Sequence, residues 1–186
     1  MGIQRPGVCV FCGSSSGTHP QYVDAARQLG ALLAIENFDV IYGGGADGCM
    51  GGVADGALAE GGRVIGVAPA FLGSAERRHR HLTHFEPVAD LAERKLRMLN
   101  LSAAVIVLPG GTGTLDEFLE VLTMKRLALV QHPLLVIDIA GFFRPLRALL
   151  QHLVDTGFAG AEQMSLYQSV DGPTAGVQAL RAQLAR

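Results

Sequence analysis

Ala103-Ala104-Val105-Ile106-Val107-Leu108-Pro109-Gly110-Gly111-Thr112-Gly113-Thr114-Leu115-Asp116-Glu117-Phe118 is the stretch on which the fold turns. Its apolar opening has the length of a buried strand. Pro-Gly-Gly-Thr-Gly-Thr then reads as a turn. Beyond it Leu115, Phe118, Leu119 and Leu122 recur at i, i+3, i+4, i+7, the spacing of one helix face. Strand, glycine turn and helix start together make an anion site. Glycine lets the backbone come close, and the free N–H groups of a first helical turn point at the anion. Glu117 falls one turn inside this helix, within reach of whatever a bound phosphate carries.

The same alternation runs outward in both directions. Strands are expected at 8–12, 38–42, 64–68 and 134–139, with an edge strand at 167–170. Helices are expected from Pro20 to about Ile35, through Met50 to Leu58, over 89–101, from the glycine turn to about Leu129, over 142–154 and over 174–184. A short helix is expected at 163–164. Residues 70–88 break the rhythm with Arg77, Arg78, His79, Arg80, His81 and His84, and read as a solvated or substrate-covering loop. Alternating strands and helices predict an α/β fold, a Rossmann-like parallel sheet flanked by helices on both faces, in a single domain over 1–186. Ligands bind outside the carboxyl ends of strands in such sheets. The glycine loops at 13–18, 43–48 and 109–114 are therefore expected to converge on one crevice.

Composition removes several classes of function. With 186 residues and 49% hydrophobic residues the chain can build a sizeable core. A net charge of −2 leaves no electrostatic footprint for nucleic acid or a membrane surface. No apolar run reaches the ~20 residues of a membrane span, and the first residues lack the apolar region of a secretory leader. The expected compartment is the cytoplasm. Cys9-x-x-Cys12 lies in a strand rather than at a helix N-terminus, so it reads as small core residues and not a redox pair. His79, His81 and His84 match no zinc spacing, and no metal site is expected.

The loops also narrow the ligand. Gly43-x-Gly45-x-x-Gly48 formally fits the dinucleotide fingerprint, but it follows the second strand and lacks the acidic residue ~20 positions on. No G-x-x-x-x-G-K-[ST] is present, which removes the P-loop nucleoside triphosphatases. A nucleoside monophosphate fits better than a dinucleotide. Glu117 itself has two readings from spacing. Thr114-x-x-Glu117 also fits a capping box, in which the carboxylate returns a hydrogen bond to the Thr114 backbone. Asp116 suits a helix N-terminus, and Glu120 shares a polar stripe with Glu117. Glu93 and Arg97, at i, i+4, read as a helix-surface pair, and Arg94-Lys95 between them as a solvated face.

Pro109-Gly110-Gly111-Thr112-Gly113-Thr114-Leu115-Asp116-Glu117 resembles the PGGxGTxxE motif of the Lonely Guy (LOG) family, and Glu93-Arg94-Lys95-x-x-Met98 resembles its arginine-lysine motif. The likeness extends in order through Val10-Phe11-Cys12-Gly13-Ser14-Ser15, Tyr42-Gly43-Gly44-Gly45 with Met50-Gly51, and Val64-Ile65-Gly66-Val67. These enzymes, often labelled lysine decarboxylases, are cytokinin riboside 5′-monophosphate phosphoribohydrolases. The resemblance implies hydrolysis of the N-glycosidic bond of an N6-substituted adenosine 5′-monophosphate to free base and ribose 5-phosphate. It implies Arg94 and Glu117 as catalytic residues. It implies Lys95, Gly110, Gly111, Thr112, Gly113, Thr114, Leu115, Asp116, Thr123 and Glu76 as substrate-binding residues. It implies a homodimer and neither metal nor cofactor. Ala92 and Thr112 depart from the usual pattern, where a histidine or aromatic and often a tyrosine stand. A broader hydrolase of AMP, or a non-catalytic nucleotide or cofactor carrier, are the alternatives. A pyridoxal phosphate enzyme needs a Schiff-base lysine. The chain has only Lys95 and Lys125.

Overall fold

Buried apolar runs set the sheet. The structure is a computed structural model that describes residues 5–70 and 78–185. In it Gly7–Phe11 (β1), Asp39–Tyr42 (β2), Val64–Pro69 (β3), His84–Val88 (β4), Ala104–Val107 (β5), Leu134–Asp138 (β6) and Gln168–Asp171 (β7) form one sheet. The strand order is β4-β3-β2-β1-β5-β6-β7 and every pairing is parallel. The helices are Gln21–Ile35 (α1), Gly48–Ala59 (α2), Leu91–Asn100 (α3), Thr112–Arg126 (α4), Arg144–Asp155 (α5) and, after the last strand, Gly172–Leu184 (α6). A short 3₁₀ helix covers Ala161–Ser165.

Strand side chains alternate between two cores, as a period of two requires. Val8 and Val10 pack with α1, α2 and α6, whereas Cys9 and Phe11 pack with α3, α4 and α5. Cys9 and Cys12 accordingly sit in opposite cores, both buried as free thiols. Burial pushes both thiols well up from their ordinary range, which is the reverse of what a reactive cysteine needs.

The chain steps outward from β1 to β4 and then returns to place β5 against the other side of β1. The loops after β1 and β5 therefore diverge at one switch point. There the Leu108 N–H donates to the Phe11 carbonyl at 2.9 Å and the Gly13 N–H to the Pro109 carbonyl at 3.0 Å. The Met50 N–H donates to the Gly13 carbonyl at 3.1 Å, which draws the end of the β2 loop to the same point.

Two expectations need correction. Residues 84–88 are a parallel edge strand, registered from Ile65↔His84 to Pro69↔Val88. His-Phe-Glu-Pro-Val is neither continuously apolar nor alternating. Its Pro87 reads as a breaker, yet an edge strand is where a sheet accepts proline. On α4 the buried face is Thr114, Glu117, Phe118, Val121 and Leu122. Leu119, expected on that face, is 41% exposed.

Helices α1 and α2 cross closely because their glycines allow it. A methyl group on Gly30 would fall on the Val53 carbonyl oxygen, and one on Gly56 on that of Arg27. The backbones must part to admit either. Gly30→Ala is expected to destabilise the protein by about 1–3 kcal/mol despite alanine's better helix propensity. Urea unfolding of the two proteins checks this, and an unchanged or raised midpoint would contradict it.

Candidate active site

Helix α4 opens at Thr112, with Gly111 in extended conformation before it and no side chain capping the start. The first helical bond runs from the Leu115 N–H to the Gly111 carbonyl at 3.1 Å. The N–H groups of Thr112, Gly113 and Thr114 precede that bond and face out of the helix. Together with the helix dipole they form an anion seat. Gly110 must be glycine, since a Cβ there would lie 2.7 Å from both the Gly13 nitrogen and the Thr114 Cβ.

The capping-box reading of Glu117 does not survive this geometry. Thr114 is already the third helical residue, so Glu117 lies too far along to reach the helix start. Its side chain turns inward instead. Glu117 Oε1 accepts a hydrogen bond from Arg94 Nη2 at 3.1 Å, and the two side chains are 9% and 12% exposed. Burial raises the Glu117 carboxyl from 4.5 to about 7, against the opposing pull of Arg94. A carboxyl poised near neutrality suits proton and charge chemistry. Arg94 also carries an open donor. Among the described residues its buried Nε finds no hydrogen-bond partner, a costly arrangement unless a ligand acceptor completes it.

Arg94 stands where two clefts meet. One, about 300 Å³, is lined by Cys12, Gly13, Ser14, Met50, Gly111, Thr112, Gly113, Thr114 and Glu117 with Arg94. The other, about 310 Å³, is lined by residues 43–47, Ala68, Arg78 and Phe85, and again by Ser14, Met50 and Arg94. The three glycine loops thus converge. Gly43 leaves room for the arginine, because a Cβ there would meet its guanidinium. Ser14, Met50 and Arg78 stood out in the sequence only as parts of longer stretches, and Phe85 not at all. Arg78 lies over the Phe85 ring at 4.6 Å, and only the pairing of β4 with β3 brings Phe85 there. Next to it, His79 is anchored rather than open. Its N–H donates to the Gly44 carbonyl at 2.9 Å, and its Nε2 lies 3.0 Å from Asp55 Oδ1.

The remaining sequence candidates are dispersed. Lys95 Nζ donates to Asp116 Oδ2 at 3.0 Å and also pairs with Glu120, which ties α3 to α4. Both carboxylates push the lysine up from its ordinary range, the Glu120 hydrogen bond most. Leu115 is half-buried against the α4-side core. Gly110 borders a neighbouring cleft of about 210 Å³ with Ser15, Gly17, Tyr22 and Phe142. The exposed Thr123 hydroxyl donates to the Leu119 carbonyl within its own helix at 2.8 Å. Glu76 lies outside the described residues. The expected Glu93–Arg97 surface pair does not form. Glu93 accepts from the Ala89 N–H while Asp90 accepts from the Glu93 N–H, capping α3 at 2.6 and 2.8 Å. Arg97 instead holds both carboxylate oxygens of Glu86 on β4 through Nε and Nη2.

The raised carboxyl carries a stability signature. Folded Glu117 keeps its proton up to about pH 7, whereas the unfolded chain loses it near 4.5. The folded state therefore binds more protons between these values, and stability falls as pH rises through that window and levels off above it. The full drop is about 3 kcal/mol. Glu117→Gln has no such proton to lose. It is expected to gain on the wild type by about 3 kcal/mol between about pH 4.5 and about pH 8 in urea unfolding. A difference that stays flat over this range would contradict the buried carboxyl.

Residues 50–180 match the family model described as "Possible lysine decarboxylase". Among named proteins, cytokinin riboside 5′-monophosphate phosphoribohydrolase LOG4 of Arabidopsis thaliana is 40% identical over 169 residues, covering 90% of this chain and 77% of that protein. The LOG7 protein of the same plant, named for the same activity, is 42% identical over 152 residues, covering 81% and 70%. Two solved structures share the fold. The molybdenum cofactor binding protein from the phototrophic bacterium Rippkaea orientalis superposes with a TM-score of 0.76 at 20% identity, covering 98% of this chain and 99% of that one. The Moco carrier protein from Chlamydomonas reinhardtii gives 0.73 at 20% identity with the same coverage. At that identity the likeness speaks for the fold alone.

Proposed function

The chain belongs to the LOG family, whose model reads "possible lysine decarboxylase", and from that membership we propose that it cleaves cytokinin riboside 5′-monophosphates to free base and ribose 5-phosphate. The observation that carries the reading is the buried Arg94–Glu117 pair beside an uncapped helix N-terminus, with one Arg94 donor still unfilled.

In this reading the 5′-phosphate sits on the N–H groups of Thr112, Gly113 and Thr114, with the Thr112 and Thr114 hydroxyls beside them. The ribose then lies over Glu117. Cleaving the bond between C1′ and the base nitrogen builds positive charge on the sugar and negative charge on the base. The ionised Glu117 carboxylate stabilises the first, binds the ribose hydroxyls and orients the water that adds to C1′. Arg94 meets the second, its free Nε–H donating to the departing base. The base leaves with a proton and the water oxygen becomes the C1′ hydroxyl. The second cleft, walled by Met50, Ala68 and Phe85, receives the base. Lys95 and Asp116 support the site by fixing α3 on α4. Gly110, Gly111 and Leu115 shape the phosphate turn.

The chemistry named in the family model is not supported by either lysine. Lys95 is committed to two carboxylates, and Lys125 donates to the His132 carbonyl at 2.5 Å. A pure carrier has no need of a buried carboxylate near neutrality opposite an arginine. We further propose a cytoplasmic homodimer, supported by Leu91, Leu96, Leu119, Leu127 and Leu129, which stand exposed on α3, on α4 and just after it. Product analysis tests the activity. Incubation with isopentenyladenosine monophosphate should release isopentenyladenine and ribose 5-phosphate in equal amounts. Recovery of intact nucleotide would instead support a carrier.

A further inference from the structure

A separate cavity, about 670 Å³, opens at the carboxyl ends of β6 and β7. Phe118, Phe143 and Tyr167 give it an aromatic floor, with Phe118 and Tyr167 edge to face at 5.5 Å. One wall is cationic. Arg144 and Arg147 stand one turn apart on α5, and Arg144 folds back over Gly141, where a Cβ would lie 2.6 Å from its Nε. Two carboxylates line the cavity as well. Asp138 ends β6 and Asp171 ends β7, and the register pairs them, so their Cα atoms stand side by side about 5 Å apart. Asp138 Oδ1 accepts from the Phe143 N–H at 3.1 Å. Ser169, two residues before Asp171 on β7, also lines the cavity. Among the described residues no ion pair joins either arginine to either aspartate.

We propose that this cavity binds a sugar phosphate. The two guanidiniums suit a phosphate, which they can grip with paired N–H donors. The two aspartates accept hydrogen bonds and repel further anions, so the other end of the ligand must carry neutral donors such as hydroxyls. The aromatic floor takes the apolar face of a ring between them. A bare anion satisfies only the arginines, and a dianion with charge at both ends is repelled by the aspartates. The site needs nothing from the hydrolase reading and shares no lining residue with the two clefts at Arg94, although Phe118 is the neighbour of Glu117 in the chain.

Isothermal titration of the full chain with ribose 5-phosphate tests this, with inorganic phosphate and ribose as controls. The phosphate seat of α4 also accepts this ligand if the hydrolase reading holds, so the readout is the change in bound equivalents. Arg144→Gln/Arg147→Gln, at exposed positions, should lose one equivalent, its affinity falling at least about a hundredfold, with an unchanged melting curve. Asp171→Asn should weaken ribose 5-phosphate about tenfold and leave phosphate unaffected. Equal stoichiometry in wild type and double variant would overturn the site. Phosphate binding as tightly as ribose 5-phosphate would overturn its sugar half. A chain that hydrolyses no nucleotide yet loses an equivalent in the double variant sinks the hydrolase reading and leaves this site standing.

Discussion

Glu117→Gln is expected to lower kcat by about 10²–10⁴-fold while the protein stays folded. Glutamine keeps the shape of the side chain and one oxygen to accept from Arg94 Nη2, the bond now 3.1 Å long. On the proposed mechanism it removes the charge that meets the cationic sugar and the oxygen that takes a proton from water. Because the wild-type carboxyl titrates at about 7, the wild-type rate should rise with pH through that value, and the residual rate of the variant should not. Steady-state kinetics from about pH 5.5 to about pH 8.5 read both effects. Full activity in a folded variant would reduce Glu117 to a structural residue.

Arg94 should be nearly as sensitive, for two separable reasons. On the proposed mechanism Arg94→Met removes the donor to the leaving base, and a loss of about 10²–10³-fold follows from losing one such preorganised donor. It also leaves Glu117 buried without its cation, so that carboxyl should titrate higher still. Breaking a buried pair can cost about 3–5 kcal/mol when the orphaned charge must stay charged. Glu117 escapes part of that penalty by holding a proton, so the variant should lose more stability at about pH 8.5 than at about pH 6. Arg94→Lys separates charge from geometry. Lysine restores a cation but not the Nε–H that lies unfilled beside the Glu117 bond. Its stability should recover while its kcat stays low. Recovery of both would mean that charge alone carries the role.

The centre of the molecule was legible because parallel strands buried on both faces read as unbroken apolar runs. β1, β2, β3, β5 and β6 stand close to their expected bounds, and the glycine turns fall at their carboxyl ends. β4 was not legible, since an edge strand carrying Glu86 and Pro87 has neither alternation nor a continuous apolar run. That omission also hid Phe85 and the floor of the second cleft. The start of α4 shows a different limit. Spacing allowed Thr114 to be a cap, but the glycine turn winds into helix two residues earlier, at Thr112. This turns Glu117 away from the helix start and into the crevice. Pairwise charge rules failed for a related reason. Glu93 and Arg97 have the spacing of a surface pair, yet each has a better partner, one at the cap of α3 and one on β4. Lys95 likewise looked solvated and instead bridges two helices. Local spacing lists possible partners, and tertiary packing chooses among them.

The central claim is that the seat at the start of α4 holds the 5′-phosphate while Arg94 and Glu117 act on the glycosidic bond. The most direct measurement compares kcat/KM for isopentenyladenosine monophosphate with that for isopentenyladenosine, which lacks only the phosphate. Losing two or three charge-assisted hydrogen bonds from the seat should reduce kcat/KM by at least about 10³-fold. Equal turnover of the two compounds would contradict the claim.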